Sequence, residues 1–193
     1  MSTLPIASLS DAYLSWQSSS LAIMGGSAAT VAYSTNGGST WTTATGQPFT
    51  ALRGGAAGSI DILGTSYFFL TGGQPGGVNP TTSNTFTSNS ISGIGTWTPV
   101  TTTAAYPSRY FHGLTVYAAA EATNGVALVV YGGYSASDPA TPYADTWGSF
   151  DGGATWIRRG DMPKSLYAFG YATTASGVIF VSGTHHPAPR EST

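Results

Sequence analysis

The chain has 193 residues and a mass of 19.7 kDa, which is enough for one ordinary domain or a few small repeats around a real core. Charged residues make up 7% of it, against a usual value of about 25%, and the net charge is −2 with a single lysine, Lys164, so no basic field exists to hold a phosphate backbone and nucleic acid is not expected as a partner. The absence of cysteine excludes a disulfide framework, thiolate zinc sites and a cysteine nucleophile, while 41% hydrophobic and 12% aromatic content argues against disorder.

Helical periodicity is nearly absent, and short apolar runs bounded by turn residues predict strands along the whole chain. The first unit gives strand A near Ala12 to Gln17, B near Leu21 to Met24, C near Val31 to Ser34 and D near Thr40 to Thr45. The second gives A near Thr50 to Ile60, B near Tyr67 to Thr71, C near Thr85 to Ser88 and D near Thr96 to Val100. In the third, A is about Phe111 to Ala118, B Val126 to Tyr131, C Asp145 to Phe150 and D Thr155 to Arg159. The fourth supplies A and B alone, Tyr167 to Thr173 and Val178 to Val181. No apolar run reaches about 18 residues, so no membrane-spanning helix is expected, and Met1 to Ser10 lacks the pattern of a signal peptide.

Two features keep step along these units. Each B strand is followed by glycine: Gly25-Gly26, Gly72-Gly73, Gly132-Gly133 and a single Gly183. The pairs belong where backbones pass closely or turn tightly, and none opens a helix or precedes the lysine of a phosphate loop. An octapeptide recurs between strands C and D, as Ser34-Thr35-Asn36-Gly37-Gly38-Ser39-Thr40-Trp41 and Ser149-Phe150-Asp151-Gly152-Gly153-Ala154-Thr155-Trp156, with a looser copy ending at Trp97. It makes sense as a hairpin turn: the Asn36 or Asp151 side chain accepts from turn N–H groups, the glycines supply positive φ, and Trp41, Trp97 or Trp156 covers the turn. A structural role is expected for Ser34, Asn36, Gly38, Ser149, Asp151, Gly153 and the three tryptophans, with backbone donors rather than a cation or metal on Asp151.

These octapeptides resemble the Asp-box (BNR) of sialidase-like propellers. Pro107-Ser108-Arg109-Tyr110-Phe111-His112-Gly113, Val129-Val130-Tyr131-Gly132-Gly133 and Tyr143-Ala144-Asp145-Thr146-Trp147 resemble a kelch repeat. The resemblance implies an all-β, β-propeller-type array of four-stranded antiparallel blades, about three and a half in this chain. The blades fall at 10–46, 48–101 and 107–160, with a half-blade at 163–186 and a tail at 187–193, in one domain. An all-β sandwich is the alternative, though it has no need of matched octapeptides. A sialidase would need three arginines converging on a carboxylate, with a Tyr–Glu pair and an Asp acid. Arg53 and Arg109 fall at the lead-in to strand A, in places expected to match. Arg158 and Arg159 are expected to face solvent, Arg190 lies in the tail, and Glu121 and Glu191 lie in a loop and the tail, so no such site is assembled. A galactose-oxidase-type copper site would lack its crosslinked cysteine. His112, His185 and His186 form no ligand pattern, and no metal or other cofactor is expected.

What remains is recognition. Arg53, Arg109, Tyr110, His112, Gln74, Tyr134 and Tyr143 cluster in the lead-ins and B–C loops, a mixture that suits a peptide or a glycan. For Arg109 and His112 the structural alternative is that they bond neighbouring blades together. Three and a half blades leave an open array with exposed edges. The segment Thr3 to Leu9, a second copy, a protein partner or a longer chain would complete it. The reading is therefore non-catalytic: a recognition or structural protein in a larger assembly, with a glycan-binding module as the alternative. The low charge and abundant Ser and Thr favour an extracellular or cell-surface setting.

Overall fold

The computed structural model describes residues 13–17, 20–24, 31–44, 48–49, 52–75, 83–88, 97–101, 103–135, 137–138, 140–173 and 179–184. Its strands are β1 (Tyr13–Gln17), β2 (Ser20–Met24), β3 (Val31–Ser34), β4 (Thr42–Ala44), β5 (Leu52–Arg53), β6 (Ala56–Ile62), β7 (Thr65–Thr71), β8 (Gln74–Pro75), β9 (Thr85–Ser88), β10 (Thr98–Thr101), β11 (Gly113–Ala118), β12 (Val126–Tyr131), β13 (Asp145–Ser149), β14 (Ile157–Asp161), β15 (Tyr167–Thr173) and β16 (Ile179–Thr184). Among the described residues there is no helix, and hence none long and apolar enough to cross a membrane.

Three sheets have four antiparallel strands each and follow the chain as meanders: β1-β2-β3-β4, β6-β7-β9-β10 and β11-β12-β13-β14. The pair β15-β16 forms a two-stranded sheet, and β5-β8 a very short one. The strands read from the sequence fall on these elements, apart from shifts of their ends (the strand read from Phe111 begins at Gly113, because Phe111 is left-handed at φ 53°) and two further differences. The segment from Thr50 to Ile60 is not one strand, because Gly54 at φ 63° turns the chain so that β5 pairs with β8 and β6 with β7. The first and third D strands begin later than expected, because the threonines before them belong to the turns: the Thr40 N–H donates to Asn36 Oδ1 at 2.9 Å, and the Thr155 N–H to Asp151 Oδ1 at 2.9 Å. The segment Thr3 to Leu9 lies outside the described residues.

The second sheet is covered on both faces, which explains its unbroken apolar run Tyr67 to Leu70. Ala57, Phe68, Leu70 and Phe86 join one core cluster with Val31 of the first sheet and Trp97. Ala56 and Phe69, pointing the other way, join a second cluster with Leu114, Val116, Leu128 and Val130 of the third. The first strands of successive sheets lie side by side: β1 against β6, β6 against β11, and β11 against β15. Gly58 permits the approach of β6 to β11, since a Cβ there would sit 2.6 Å from Val116 Cγ2. No comparable contact joins β15 to β1 among the described residues.

One backbone feature marks the lead-ins to β6, β11 and β15. Gly54, Phe111 and Ala168 stand at a constant 57-residue spacing, and all three are left-handed, at φ 63°, 53° and 49°. The Phe111 N–H donates to Gly54 O at 2.5 Å and the Ala168 N–H to Phe111 O at 3.0 Å. A ladder of backbone bonds thus runs from sheet to sheet where the first strands begin.

Candidate functional site

The diglycine turns build the end of the molecule on which the candidate residues lie. Gly25-Gly26 lies outside the described residues; in the other two pairs the first glycine donates within its own unit, Gly72 N–H to Asn84 O at 2.9 Å and Gly132 N–H to Asp145 O at 3.3 Å. The second donates to the next unit: Gly73 N–H to Arg109 O at 2.9 Å, Gly133 N–H to Leu166 O at 2.7 Å. A Cβ at Gly72 would lie 2.5 Å from His112 Cε1, and one at Gly133 would lie 2.7 Å from His112 Cβ. His112 is therefore clamped between two turns that only glycine can form there.

His112 is buried, with Nε2 3.0 Å from Thr71 Oγ1. Burial, reinforced by the charge of Arg109, pushes its pKa down to about 3, so the ring is neutral at ordinary pH. Arg109 is fully buried beside it. Its guanidinium donates to both carboxylate oxygens of Asp145, at 2.7 and 2.9 Å, and to Gly132 O at 2.9 Å, while Nε donates to Pro107 O at 3.1 Å. It lies 5.4 Å from the centre of the Tyr106 ring and 4.4 Å from that of Tyr143. The Trp147 indole N–H donates to Asp145 Oδ2 at 2.7 Å. Partial burial would raise the Asp145 pKa, but the hydrogen bonds and charge of Arg109 outweigh it and hold the carboxyl below its usual range. This network ties the lead-in of the third sheet to the start of β13.

The pairing register corrects one sequence expectation. Arg53 pairs with Gln74, Tyr110 bridges Tyr134, and Tyr167 pairs with Thr184. The counterpart of Arg53 is thus Tyr110, whereas Arg109 falls with Leu52 and Leu166. In extended chain a one-residue offset reverses the direction of the side chain. Arg53 is exposed and Arg109 is buried, and the two do not converge.

The residues presented outward form an aromatic surface beside Arg53. Phe111, Tyr134 and Tyr167 are half-buried, and Tyr110 is buried beneath them. Tyr134 lies 4.3 Å from Tyr110, 6.0 Å from Phe111 and 4.9 Å from Tyr167, centroid to centroid. The Arg53 guanidinium sits 5.8 Å from the centre of the Phe111 ring. Of the residues read from the sequence, Arg53 and Tyr134 reach this surface; Gln74 is buried, and Tyr143 stacks on Arg109. Phe111 and Tyr167 were not anticipated. The constant spacing Arg53, Tyr110, Tyr167 was the signal that could have found Tyr167. His185, His186 and Arg190 lie outside the described residues. Among those described, no group of three His, Cys, Asp or Glu is arranged to hold a metal ion.

The octapeptides form matching turns. Ser34 Oγ donates to Asn36 Oδ1 at 2.9 Å and accepts from Gly38 N–H at 2.9 Å. Ser149 Oγ donates to Asp151 Oδ1 at 2.8 Å and accepts from Gly153 N–H at 2.8 Å. Trp97 and Trp156 are both buried and each meets an upstream aromatic edge-on, Phe49 at 5.9 Å and Tyr106 at 5.0 Å; Trp41 is half-buried.

No family model matches the chain, and no curated protein matches it in sequence. In fold it matches 127 solved chains. One, described as "Structure of YjhT", is similar with a TM-score of 0.61 at 14% identity over 87% of this chain. That likeness is one of fold alone. The chain spans about half the length of that structure, 55%.

Proposed function

We propose that the chain is a non-catalytic recognition protein, built on a kelch- and Asp-box-like propeller array and working within a larger assembly. The observation that carries this reading is the surface of Arg53, Phe111, Tyr134 and Tyr167 at the lead-in ends of the sheets. Arginine and tyrosine on a rigid β scaffold are the side chains that most often anchor a protein partner. The nearby groups with the greatest chemical reach, Arg109, Asp145 and His112, are engaged with one another or with the fold, which favours binding over chemistry at this end. The row of first strands supports a radial array, and among the described residues the sheet β15-β16 has two strands where the others have four, an edge that further strands would complete.

The test is selection of binders from a displayed peptide library against the purified chain, with each binder remeasured on Arg53→Ala and Tyr134→Ala. We expect at least one variant to weaken binding about tenfold or more, as truncation of an anchoring side chain does. Binders indifferent to both variants would contradict the assignment of this surface. The glycan alternative draws on the same aromatic platform beside Arg53, and a glycan array read with the same two variants separates it from a peptide ligand.

A further inference from the structure

We propose that Asn36 is a self-modifying site, whose carboxamide is attacked by the Gly37 backbone nitrogen in the folded chain and converted through a cyclic imide to a carboxylate. The sequence has two asparagines followed by glycine, Asn36-Gly37 and Asn124-Gly125, and both asparagines are exposed. Glycine has no side chain to shield its own nitrogen from such a reaction. The two pairs differ in how the fold holds their reacting atoms. The Gly125 N–H is engaged, donating to Ala122 O at 3.0 Å, and a hydrogen-bonded amide gives up its proton less readily. Among the described residues the Gly37 N–H meets no acceptor, and a Cβ at Gly37 would meet nothing within 4 Å.

The Asn36 carboxamide is held as an electrophile. The Thr40 N–H, which can only donate, gives to Oδ1 at 2.9 Å, and Ser34 Oγ donates to the same oxygen at 2.9 Å. The amide nitrogen Nδ2 donates to Thr40 Oγ1 at 2.9 Å. Donors converging on one carbonyl oxygen stabilise the negative charge that gathers there when a nucleophile adds. The Asn124 side chain has no such donors among the described residues. In the reaction the Gly37 nitrogen bonds to Asn36 Cγ, and its proton passes by way of water to the departing Nδ2. The Cγ–Nδ2 bond breaks, ammonia leaves, and the cyclic imide closes. Water then adds at Cγ, the new C–N bond breaks, the Gly37 nitrogen regains a proton and an aspartate remains. One water is consumed, one ammonia is released, and no oxidant or reductant takes part. The fold already holds this product in the matching turn. Asp151 Oδ1 accepts from Ser149 Oγ at 2.8 Å and from the Thr155 N–H at 2.9 Å, and the Thr155 hydroxyl donates to its other oxygen. The Asn36 turn therefore keeps equivalent bonds after conversion, and a chain of net charge −2 gains one more negative charge. The site stands independently of the lead-in surface, since it shares no residue with it.

The test is peptide-mapping mass spectrometry of the purified chain, aged at mildly alkaline pH both folded and in urea. In the folded chain Asn36 should convert about tenfold or more faster than Asn124, whereas in urea the two should convert alike. Ser34→Ala, aged at a temperature where its melt shows it folded, should slow the conversion of Asn36 about tenfold, because a donor to Oδ1 is lost. A hydroxyl that merely pinned the side chain would do the opposite, and its loss would speed the reaction. Asn36→Asp, the product made directly, should melt as the parent does. The comparison of Asn36 with Asn124 needs no variant and stands whether or not Ser34→Ala folds. The proposal is overturned if Asn124 converts as fast as Asn36 in the folded chain, if Asn36 converts more slowly folded than in urea, if a folded Ser34→Ala converts as fast as the parent or faster, or if Asn36→Asp melts well below the parent.

Discussion

Arg109 is the largest fully buried side chain described, and its charge is tolerable there because a carboxylate meets it bidentately and carbonyls take further donors. Removing one partner leaves the other charged and buried. Asp145→Ala should therefore lower unfolding stability by about 3–5 kcal/mol in urea titration, whereas replacing both residues with leucine should recover much of that loss. A single-variant loss below about 1 kcal/mol would contradict the buried pair. His112 gives a pH signature of its own. Its folded pKa of about 3 lies below the ordinary 6.5, so the unfolded chain takes up the proton first. Stability should be full above pH 6.5 and decline as pH falls toward 3, by at most about 1.4 kcal/mol per pH unit. Asp145 adds a loss at lower pH, once its depressed carboxyl is protonated. Thermal melts from pH 7 to 4 should show the decline, and His112→Gln should flatten it; an equal slope in both would contradict the assignment. At this scale the sequence was legible in kind but not in direction. It marked Arg53, Arg109 and His112 as unusual in a chain with so few charges. Which of them faces water was decided by a one-residue register that no local pattern reveals.

The two octapeptide turns differ at their key position, Asn36 in one and Asp151 in the other, yet bond alike. What the turn requires is an acceptor oxygen, and charge is secondary. Asp151→Asn should consequently change stability by less than about 0.5 kcal/mol and Asp151→Ala should cost about 1–2 kcal/mol by thermal unfolding, as loss of such side-chain-to-backbone bonds does. The left-handed lead-ins make a related prediction. Ala168 at φ 49° carries a strain that Gly54 avoids at the equivalent position, so Ala168→Gly should stabilise by roughly 1 kcal/mol. Destabilisation by Ala168→Gly would remove that argument. These elements were the most readable part of the chain, because diglycines, Asx turns and β-branched runs act locally. The exceptions were β5 and β8, whose pairing hangs on the left-handed Gly54, and Phe111, a bulky residue where local preference forbids positive φ. There the inter-sheet bond from Phe111 N–H to Gly54 O outweighs the preference.

For the whole molecule, the repeat predicted meandering four-stranded sheets, and the described residues form three such sheets and two two-stranded ones, β15-β16 and the very short β5-β8. Their mutual arrangement was not readable, because contacts between sheets join residues about 57 positions apart, as in Gly54 and Phe111. The assembly reading predicts species heavier than 19.7 kDa by native mass spectrometry, and a chain that stays at that mass at every concentration and alone would count against it. The arrangement itself can be interrogated chemically, because the chain has no cysteine of its own. A Cβ at Gly58 would sit 3.6 Å from that of Val116, within the range a disulfide spans. If the first strands of neighbouring sheets pack side by side, Gly58→Cys with Val116→Cys should oxidise to an intramolecular bond, with both thiols lost and no dimer on a non-reducing gel. Two thiols that stay free under mild oxidant in the folded chain, or that link only between molecules, would contradict it.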